Sequence, residues 1–338
     1  MKFLVTGATS GLGRNAVQWL LENGHQVNAT GRDMQVGSEL VLLGAQFTAL
    51  DLVTATDEDY RQLMVGCDAV WHCAAFSSPW GSKKAFYEAN VLVSVKLATI
   101  TGKMDIKRFV HISTPSIYFD FQSHSNITED YLASAFANEY AKTKYQAELD
   151  ILKQSKIYPN TVYIILRPRG LFGPYDRVIV PRILAQIERT KGILPLPGGG
   201  LACVDLTFVL NVVHAMYLAT VNKELVSGEA FNISNHQPVQ LVQVLAQLLK
   251  EELGINYKVR KLPYVMLYIV ANVLEKIAKV TGKEPALTRY SIGALYFDMT
   301  LSQHKASTVL GYQPQYTLEE GIVLTAKWLK EQGMKHNG

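Results

Sequence analysis

Apolar positions along the chain recur in two alternating rhythms. Residues 2–6 form a short apolar run. After Arg14 the spacing turns helical, with Ala16, Val17, Leu20 and Leu21 on one face, and Gly24 stands where a C-cap would. Further short runs predict strands at 26–30, 46–50, 68–73, 108–113 and 162–167. Helical patterns lie between most of them, clearest over 84–101 and 138–153. This alternation predicts an α/β fold, a doubly wound parallel sheet with helices on both faces. After Pro168 the pattern changes. Pro174, Pro181, Pro195 and Pro197 crowd together with Gly198, Gly199 and Gly200, which marks the start of a smaller C-terminal lobe.

The turn after the first predicted strand carries Gly7, Thr9, Ser10, Gly11, Leu12 and Gly13, and a helix follows. Glycine lets backbone turn sharply and approach a ligand closely, and a helix N-terminus offers free N–H groups to an anion. In a strand–loop–helix context near the chain start, the pattern predicts a pyrophosphate cradle and hence a Rossmann-type dinucleotide site. The second strand ends at Gly31-Arg32-Asp33. No carboxylate falls where one would hold a ribose, and Arg32 suits a 2′-phosphate. NADP is therefore favoured over NAD, although Asp33 lies one register step from restoring an acid. The expected division is a dinucleotide domain over 1–170, with a return near 204–233, and a substrate-binding lobe from 171–203 and 234–330.

Composition narrows the class. Apolar residues make up 48% of 338 and charged residues 18%, which allows a sizeable core and excludes wholesale disorder. Lys plus Arg is 33 and Asp plus Glu is 29, so the net charge of +4 points to no nucleic-acid partner. Cys67, Cys73 and Cys203 are odd in number and lack metal-ligand spacing, so neither a disulfide framework nor a metal site is expected. The opening MKFLVTG is too short for a signal peptide. The longest apolar run, 264–274, falls short of the ~20 residues of a membrane span. A cytoplasmic enzyme is the expectation.

Tyr140 and Lys144 stand four apart on a predicted helix and so share a face. A phenol of pKa ~10 is a poor proton shuttle near neutrality, and a neighbouring cation lowers it. The fifth strand ends in Ser113-Thr114-Pro115-Ser116, which puts a hydroxyl at the carboxyl edge of the sheet, where open α/β folds bind ligands.

Together these pieces resemble the short-chain dehydrogenase/reductase superfamily in its extended branch, over nearly the whole chain. HISTPSIY (111–118) resembles that branch's Ser/Thr-x-x-Val-Tyr signature. With Tyr118 closing it, the catalytic hydroxyl falls on Thr114, with Ser113 as runner-up. Tyr140 and Lys144 match Tyr-x-x-x-Lys. The resemblance further implies cofactor contacts from Asp51 and Leu52, from Cys73, Ala74 and Ala75, from Asn90, and from Pro168 and Gly170 in the Arg167-Pro-Arg-Gly170 turn. One departure stands out: the chain reads TGxxxGxG rather than TGxxGxxG. Within the branch, Ser77-Ser-Pro-Trp-Gly81, the 204–215 stretch and Pro285-Ala-Leu-Thr-Arg289 resemble the 3β-hydroxysteroid dehydrogenase-like group. They are most similar to its bacterial 2-alkyl-3-oxoalkanoate reductases. The implied reaction is reduction of a β-keto acid or sterol-like ketone, with Ser77, Trp80, Ser116 and Arg289 as candidate substrate residues and a homodimer as the implied assembly.

Residues 258–283 combine an apolar run with flanking cations. The first reading is a helix packed on the lobe's core. The second is a lid or wall over a greasy channel that touches a membrane surface. Arg289 has two readings of equal weight, a partner for a substrate carboxylate or a structural ion pair. Packing is the expectation for Trp80, and a structural or cofactor-adjacent place for His72 and Cys73. Two other functions remain on the sequence. One is a nucleotide-sugar epimerase or dehydratase with tightly held NAD, the other a redox-sensing regulator that binds NADP without turnover.

Overall fold

Along the first strand, side chains alternate between two interiors: Phe3 and Val5 enter one, Leu4 the other. Trp71 and Val70 divide in the same way, as do Val110 and Phe109, and Ile164 and Tyr163. Large apolar residues on both faces of consecutive strands require a sheet covered on both sides. Each such side chain contributes about 1.5–3 kcal/mol when fully buried. The computed structural model, which describes residues 1–176 and 179–333, builds that sheet.

The strands are β1 (Lys2–Thr6), β2 (Gln26–Gly31), β3 (Gln46–Ala49), β4 (Ala69–His72), β5 (Arg108–Ile112), β6 (His124–Ile127), β7 (Val162–Pro168), β8 (Leu171–Phe172), β9 (Ile193–Pro197), β10 (Cys203–Val204), β11 (Thr207–Phe208), β12 (Ala230–Ile233), β13 (Val239–Gln240), β14 (Lys258–Leu262) and β15 (Met299–Leu301). Seven of them pair in the order β12-β7-β5-β4-β1-β2-β3. All six pairings are parallel. The strand order reverses beside β1, so the crevice between the ends of β1 and β4 is the expected ligand site of such a sheet.

The helices are α1 (Gly11–Glu22), α2 (Met34–Leu42), α3 (Asp57–Met64), α4 (Lys83–Phe86), α5 (Val93–Lys103), α6 (Glu139–Ile157), α7 (Ile179–Arg189), α8 (Val209–Val221), α9 (Leu241–Leu245), α10 (Tyr264–Thr281), α11 (Arg289–Ala294) and α12 (Leu318–Glu331). Helices α1, α8 and α12 bury apolar residues in the interior shared with Phe3, while α3 and α5 fill the one shared with Leu4. The helix predicted over 84–101 is interrupted by a π-helical turn, Tyr87–Leu92. Asn90 inside that turn binds both the N–H (2.8 Å) and the carbonyl (3.2 Å) of Phe76, in the loop fourteen residues before it.

Three smaller sheets stand beside it, one ordered β13-β10-β15-β6, one pairing β11 with β8 and one pairing β14 with β9. Strand β6 leaves the main sheet to join the first of these. A third core of Ile117, Tyr118, Phe119, Ile127, Met299 and Leu301 lies there. The first reading of the 258–283 segment, a helix packed on this core, needs correction. It does form α10, but only Ala271, Glu275 and Ala278 are buried. Val265, Met266, Ile269, Val270, Val273 and Ile277 are exposed. Its apolar residues run most of the way round the helix, and the lobe contacts one narrow stripe.

Candidate active site

Backbone geometry explains the glycines of the first loop. Gly7 has φ +67°, and a Cβ on it would lie 2.8 Å from the Ala74 nitrogen. A Cβ on Gly13 would sit 2.2 Å from the Gly7 carbonyl oxygen. Gly11 has φ +47° and faces open space. Ser10 is the N-cap of α1 yet makes no side-chain capping hydrogen bond. Thr9 and Leu12 are buried against the fold. An uncapped helix N-terminus behind a tight glycine turn, at the carboxyl edge of β1, fits a pyrophosphate. Dinucleotide binding by this loop is consistent with that geometry despite its TGxxxGxG spacing.

The neighbouring strand ends complete the cofactor wall. Strand β2 stops at Gly31, where a Cβ would meet the Thr9 side chain at 2.6 Å. Glycine is thus required in place of an acid. Arg32 follows, exposed, and Asp33 accepts a hydrogen bond from the Val36 N–H at 3.2 Å as the cap of α2. Past β3, Asp51 accepts from the Val53 N–H at 3.0 Å, and the Leu52 carbonyl accepts from the Tyr60 hydroxyl at 2.5 Å. Past β4, Cys73, Ala74 and Ala75 run against Gly7, and the Ala74 N–H donates to Thr6 Oγ1 at 3.2 Å. Burial pushes the Cys73 thiol up to about 12, which removes it as a nucleophile at neutral pH. Pro168 closes β7. Gly170 has φ +56°, and a Cβ there would lie 2.7 Å from Leu206.

The catalytic candidates meet at the ends of β5 and α6. Thr114 Oγ1 accepts from the Ser116 N–H at 3.1 Å and donates to Ser116 Oγ at 3.0 Å. Ser116 Oγ in turn lies 2.6 Å from the Tyr290 hydroxyl of α11. Ser113 points the other way and is bound to Glu148, inside a buried pair in which Arg167 Nε reaches Glu148 at 3.0 Å. Thr114, not Ser113, therefore faces the cleft. Burial pushes the Tyr140 phenol up to about 12. The Tyr290 phenol adds to the rise, and a hydrogen bond with Thr114 opposes it.

Lys144 differs from its sequence expectation. It is buried, and Nζ donates to the Ile112 carbonyl at 2.6 Å and lies 3.0 Å from His111 Nε2. Burial brings its ammonium down to about 7. Among the described residues it makes no hydrogen bond to Tyr140, and the expected drop in the phenol's pKa is absent. The cause is competition: a buried ammonium binds the nearest acceptors, a strand carbonyl and an imidazole. His111 lies beside His72 with ring centroids 5.3 Å apart and the planes tilted by 36°, and His72 bonds Thr6 Oγ1 at 2.8 Å and Ser94 Oγ at 2.9 Å. Burial holds both imidazoles neutral.

The substrate candidates divide. Ser116 joins the Thr114–Tyr290 chain. Ser77 is exposed and Trp80 half-buried, and among the described residues neither side chain hydrogen-bonds to that chain. Arg289 Nε binds Glu275 Oε2 at 2.8 Å, which is its structural ion-pair reading. Three residues here escaped the sequence reading as site members. Tyr290 lies 174 positions from its partner Ser116, beyond any local pattern. His111 sat inside a recognised signature without a role. Arg169 sat inside the Arg167-Pro-Arg-Gly170 turn. Its Nε is buried with no hydrogen-bond partner, and its guanidinium makes no ion pair among the described residues. Burial lowers its pKa, against the pull of the Tyr290 phenol and the Asp205 carboxylate.

A parallel seven-stranded sheet with a glycine-turned helix N-terminus and a Thr–Tyr pair at its carboxyl edge defines the nicotinamide-dependent class of short-chain dehydrogenase/reductase architecture. The chain belongs to the NAD dependent epimerase/dehydratase family, whose model matches residues 3–234. It is 43% identical to the uncharacterized protein YbjS of Escherichia coli, over 98% of this chain and 99% of that protein. It is 32% identical to the 2-alkyl-3-oxoalkanoate reductase of Shewanella oneidensis, over 94% and 84% of the two chains. The crystal structure of a Bacillus cereus UDP-glucuronic acid 4-epimerase with NAD shares the fold, with TM-score 0.78 at 22% identity, over 98% of this chain and 100% of that one.

Proposed function

We propose that this protein is an NADP-dependent reductase that converts a ketone on an apolar, carboxylate-bearing substrate into a secondary alcohol. The observation that carries the reading is the placement of Tyr140, in the first turn of α6, beside Thr114 at the end of β5, with the phenol held protonated by burial. Reduction requires a proton donor at the carbonyl oxygen. A phenol pushed up to about 12 keeps its proton at neutral pH and releases it as negative charge develops on that oxygen. Thr114 supplies a second hydrogen bond to the same oxygen. A bound nicotinamide supplies the hydride. Lys144 is the residue that would meet the nicotinamide ribose, and its low pKa leaves it partly neutral until a partner arrives.

Three further observations support the substrate class and cofactor. Phe119, Phe121 and Tyr268 form successive edge contacts, and Phe119 also packs edge-on to Tyr290, whose hydroxyl lies 2.6 Å from Ser116 Oγ. Such a wall suits alkyl or ring carbon rather than a sugar diphosphate. Arg169 offers an unsatisfied guanidinium next to Tyr290, which suits a substrate carboxylate. The glycine forced at the end of β2, followed by exposed Arg32, favours NADP over NAD. The Shewanella oneidensis relative, a 2-alkyl-3-oxoalkanoate reductase, takes a substrate of this kind.

The test follows NADPH and NADH oxidation with a long-chain 2-alkyl-3-oxo acid, its methyl ester and a 3-ketosteroid. Faster oxidation with NADPH, and a preference for acid over ester that Arg169→Met removes, is the expected result. No oxidation with either cofactor, together with NAD released on denaturation, would replace this reading with a nucleotide-sugar epimerase or dehydratase.

A further inference from the structure

Helix α10 has two unlike sides. Its inner stripe is anchored. Tyr264 stacks on Tyr296 at 4.4 Å and 14°, Tyr268 packs edge-on to Phe121, and Glu275 is tied to Arg289. Its outer side is apolar and open. Val265, Met266, Ile269, Val273, Ile277 and Val280 recur at three- and four-residue steps, with Val265 66% and Val280 89% exposed. Monomeric proteins seldom leave a contiguous apolar stripe of this kind to water.

What borders the stripe identifies its occupant. Strand β14 leads into the helix with Lys258, Arg260 and Lys261, all exposed, and Lys276, Lys279 and Lys283 flank its far end. None of the six makes an ion pair among the described residues. The acids of this stretch are spent elsewhere, Glu275 on Arg289 and Glu284 on Arg182. A second copy of the chain docked about a twofold axis would set these cations against their own equivalents. No helix among the described residues is long and apolar enough to cross a membrane. An apolar stripe between two clusters of unpaired cations matches instead a surface with an apolar interior and anionic headgroups.

We propose that the outer face of α10 seats on an anionic lipid bilayer. The helix lies in the interfacial plane, its valines and isoleucines enter the acyl boundary, and the cations of β14 and of the 276–283 end rest among the headgroups. The inner stripe of the same helix packs on the aromatic cluster that reaches Tyr290, so seating turns that side of the cleft toward the membrane. The docking stands on exposure and charge, and does not depend on which substrate is reduced.

The experiment is sedimentation of the full chain with vesicles of phosphatidylglycerol and phosphatidylcholine in equal parts, and with phosphatidylcholine alone. Binding to the anionic vesicles at 0.05 M salt, at least tenfold weaker in 0.5 M salt and on pure phosphatidylcholine by screening and loss of charge, is expected. The double variant Ile269→Asn, Val273→Asn and the double variant Lys276→Glu, Lys279→Glu should each lose at least tenfold in affinity. Their melting and their binding of NADPH in the absence of vesicles should stay at wild-type values, which separates lost docking from lost folding. Absence of binding to anionic vesicles at low salt overturns the proposal. Equal binding to both compositions overturns its electrostatic half. A concentration-dependent dimer that the Ile269→Asn, Val273→Asn variant dissolves would assign the face to a second copy and overturn it as well.

Discussion

The two walls of the cleft are built by different means. The sheet-side wall is backbone geometry. Gly7, Gly13 and Gly31 each sit where a Cβ would collide within 3 Å of a neighbour, and Thr114 and Tyr140 stand at the first turns of short-range elements. The lobe-side wall is side-chain geometry. Tyr290 comes from far along the chain to meet Ser116 and Phe119, and Tyr264 and Tyr268 pack on each other, with Tyr268 against Phe121. The first wall tolerates little change and, on the proposed function, would carry cofactor and proton. The second is adjustable and, on the same reading, would carry recognition. Damage to the sheet side should therefore act on every substrate alike, and damage to the lobe side on some substrates only.

Tyr140→Phe is the largest expected break. It removes the phenolic proton set beside Thr114, and general-acid catalysis is worth about 10²–10⁴-fold. Turnover should fall by that range for acid, ester and steroid substrates, while NADPH titration by fluorescence stays unchanged. A rate within twofold of wild type would move the proton donor elsewhere. Next comes Gly13→Ala. The added methyl meets the Gly7 carbonyl oxygen at 2.2 Å, backbone against helix, with nothing flexible to yield. Overpacking of this kind costs about 1–3 kcal/mol. Cofactor affinity should drop by tenfold or more in the same titration, and the melting temperature should fall with it.

This contrast between walls also decides what was legible from the residues alone. The six strands 2–6 to 162–167 were readable because each is a short run bounded by turn residues, buried on both faces in all but the edge strand at 46–50. Thr114, Tyr140 and Lys144 were readable because their spacing is local. The π-helical turn at Asn90 was not, since its cause is a loop fourteen residues away. Nor was the resting partner of Lys144, which depends on β5 and α6 packing His111 against it. The exposure of α10 was misread because an apolar composition records what a helix offers and not what the lobe covers.

A smaller effect tests the buried imidazoles behind the sheet-side wall. Burial brings His72 down to about 3 from an ordinary 6.5. Between those values the unfolded chain binds a proton that the fold does not. Stability from this group is complete above pH 6.5 and declines as pH falls toward 3, by up to about 1.4 kcal/mol per pH unit. His111, lowered in the same direction, adds to the decline. Urea midpoints should therefore fall between pH 7 and pH 5, and the slope should shrink in His72→Gln. Equal midpoints at the two pH values would mean that the fold keeps the ring protonated.

Tyr290→Phe sharpens the comparison at its finest grain. The change deletes one hydroxyl on the lobe side and leaves the edge contact with Phe119 in place. The lost partner is Ser116 Oγ, 2.6 Å away, which then has only Thr114. A neutral hydrogen bond of this type is worth ~1 kcal/mol. That is about fivefold in kcat/KM. Because Ser116 bonds the catalytic Thr114, a loss in kcat shared by all substrates would mean that Tyr290 acts through Thr114 and belongs to the sheet-side wall. A loss confined to KM, and to the carboxylate substrate beside Arg169, would place it on the recognition side. The cycle with Ser116→Ala separates the two. Additive losses mean independent contacts, and a double variant no worse than Ser116→Ala alone means that the phenol works only by holding Ser116 against Thr114.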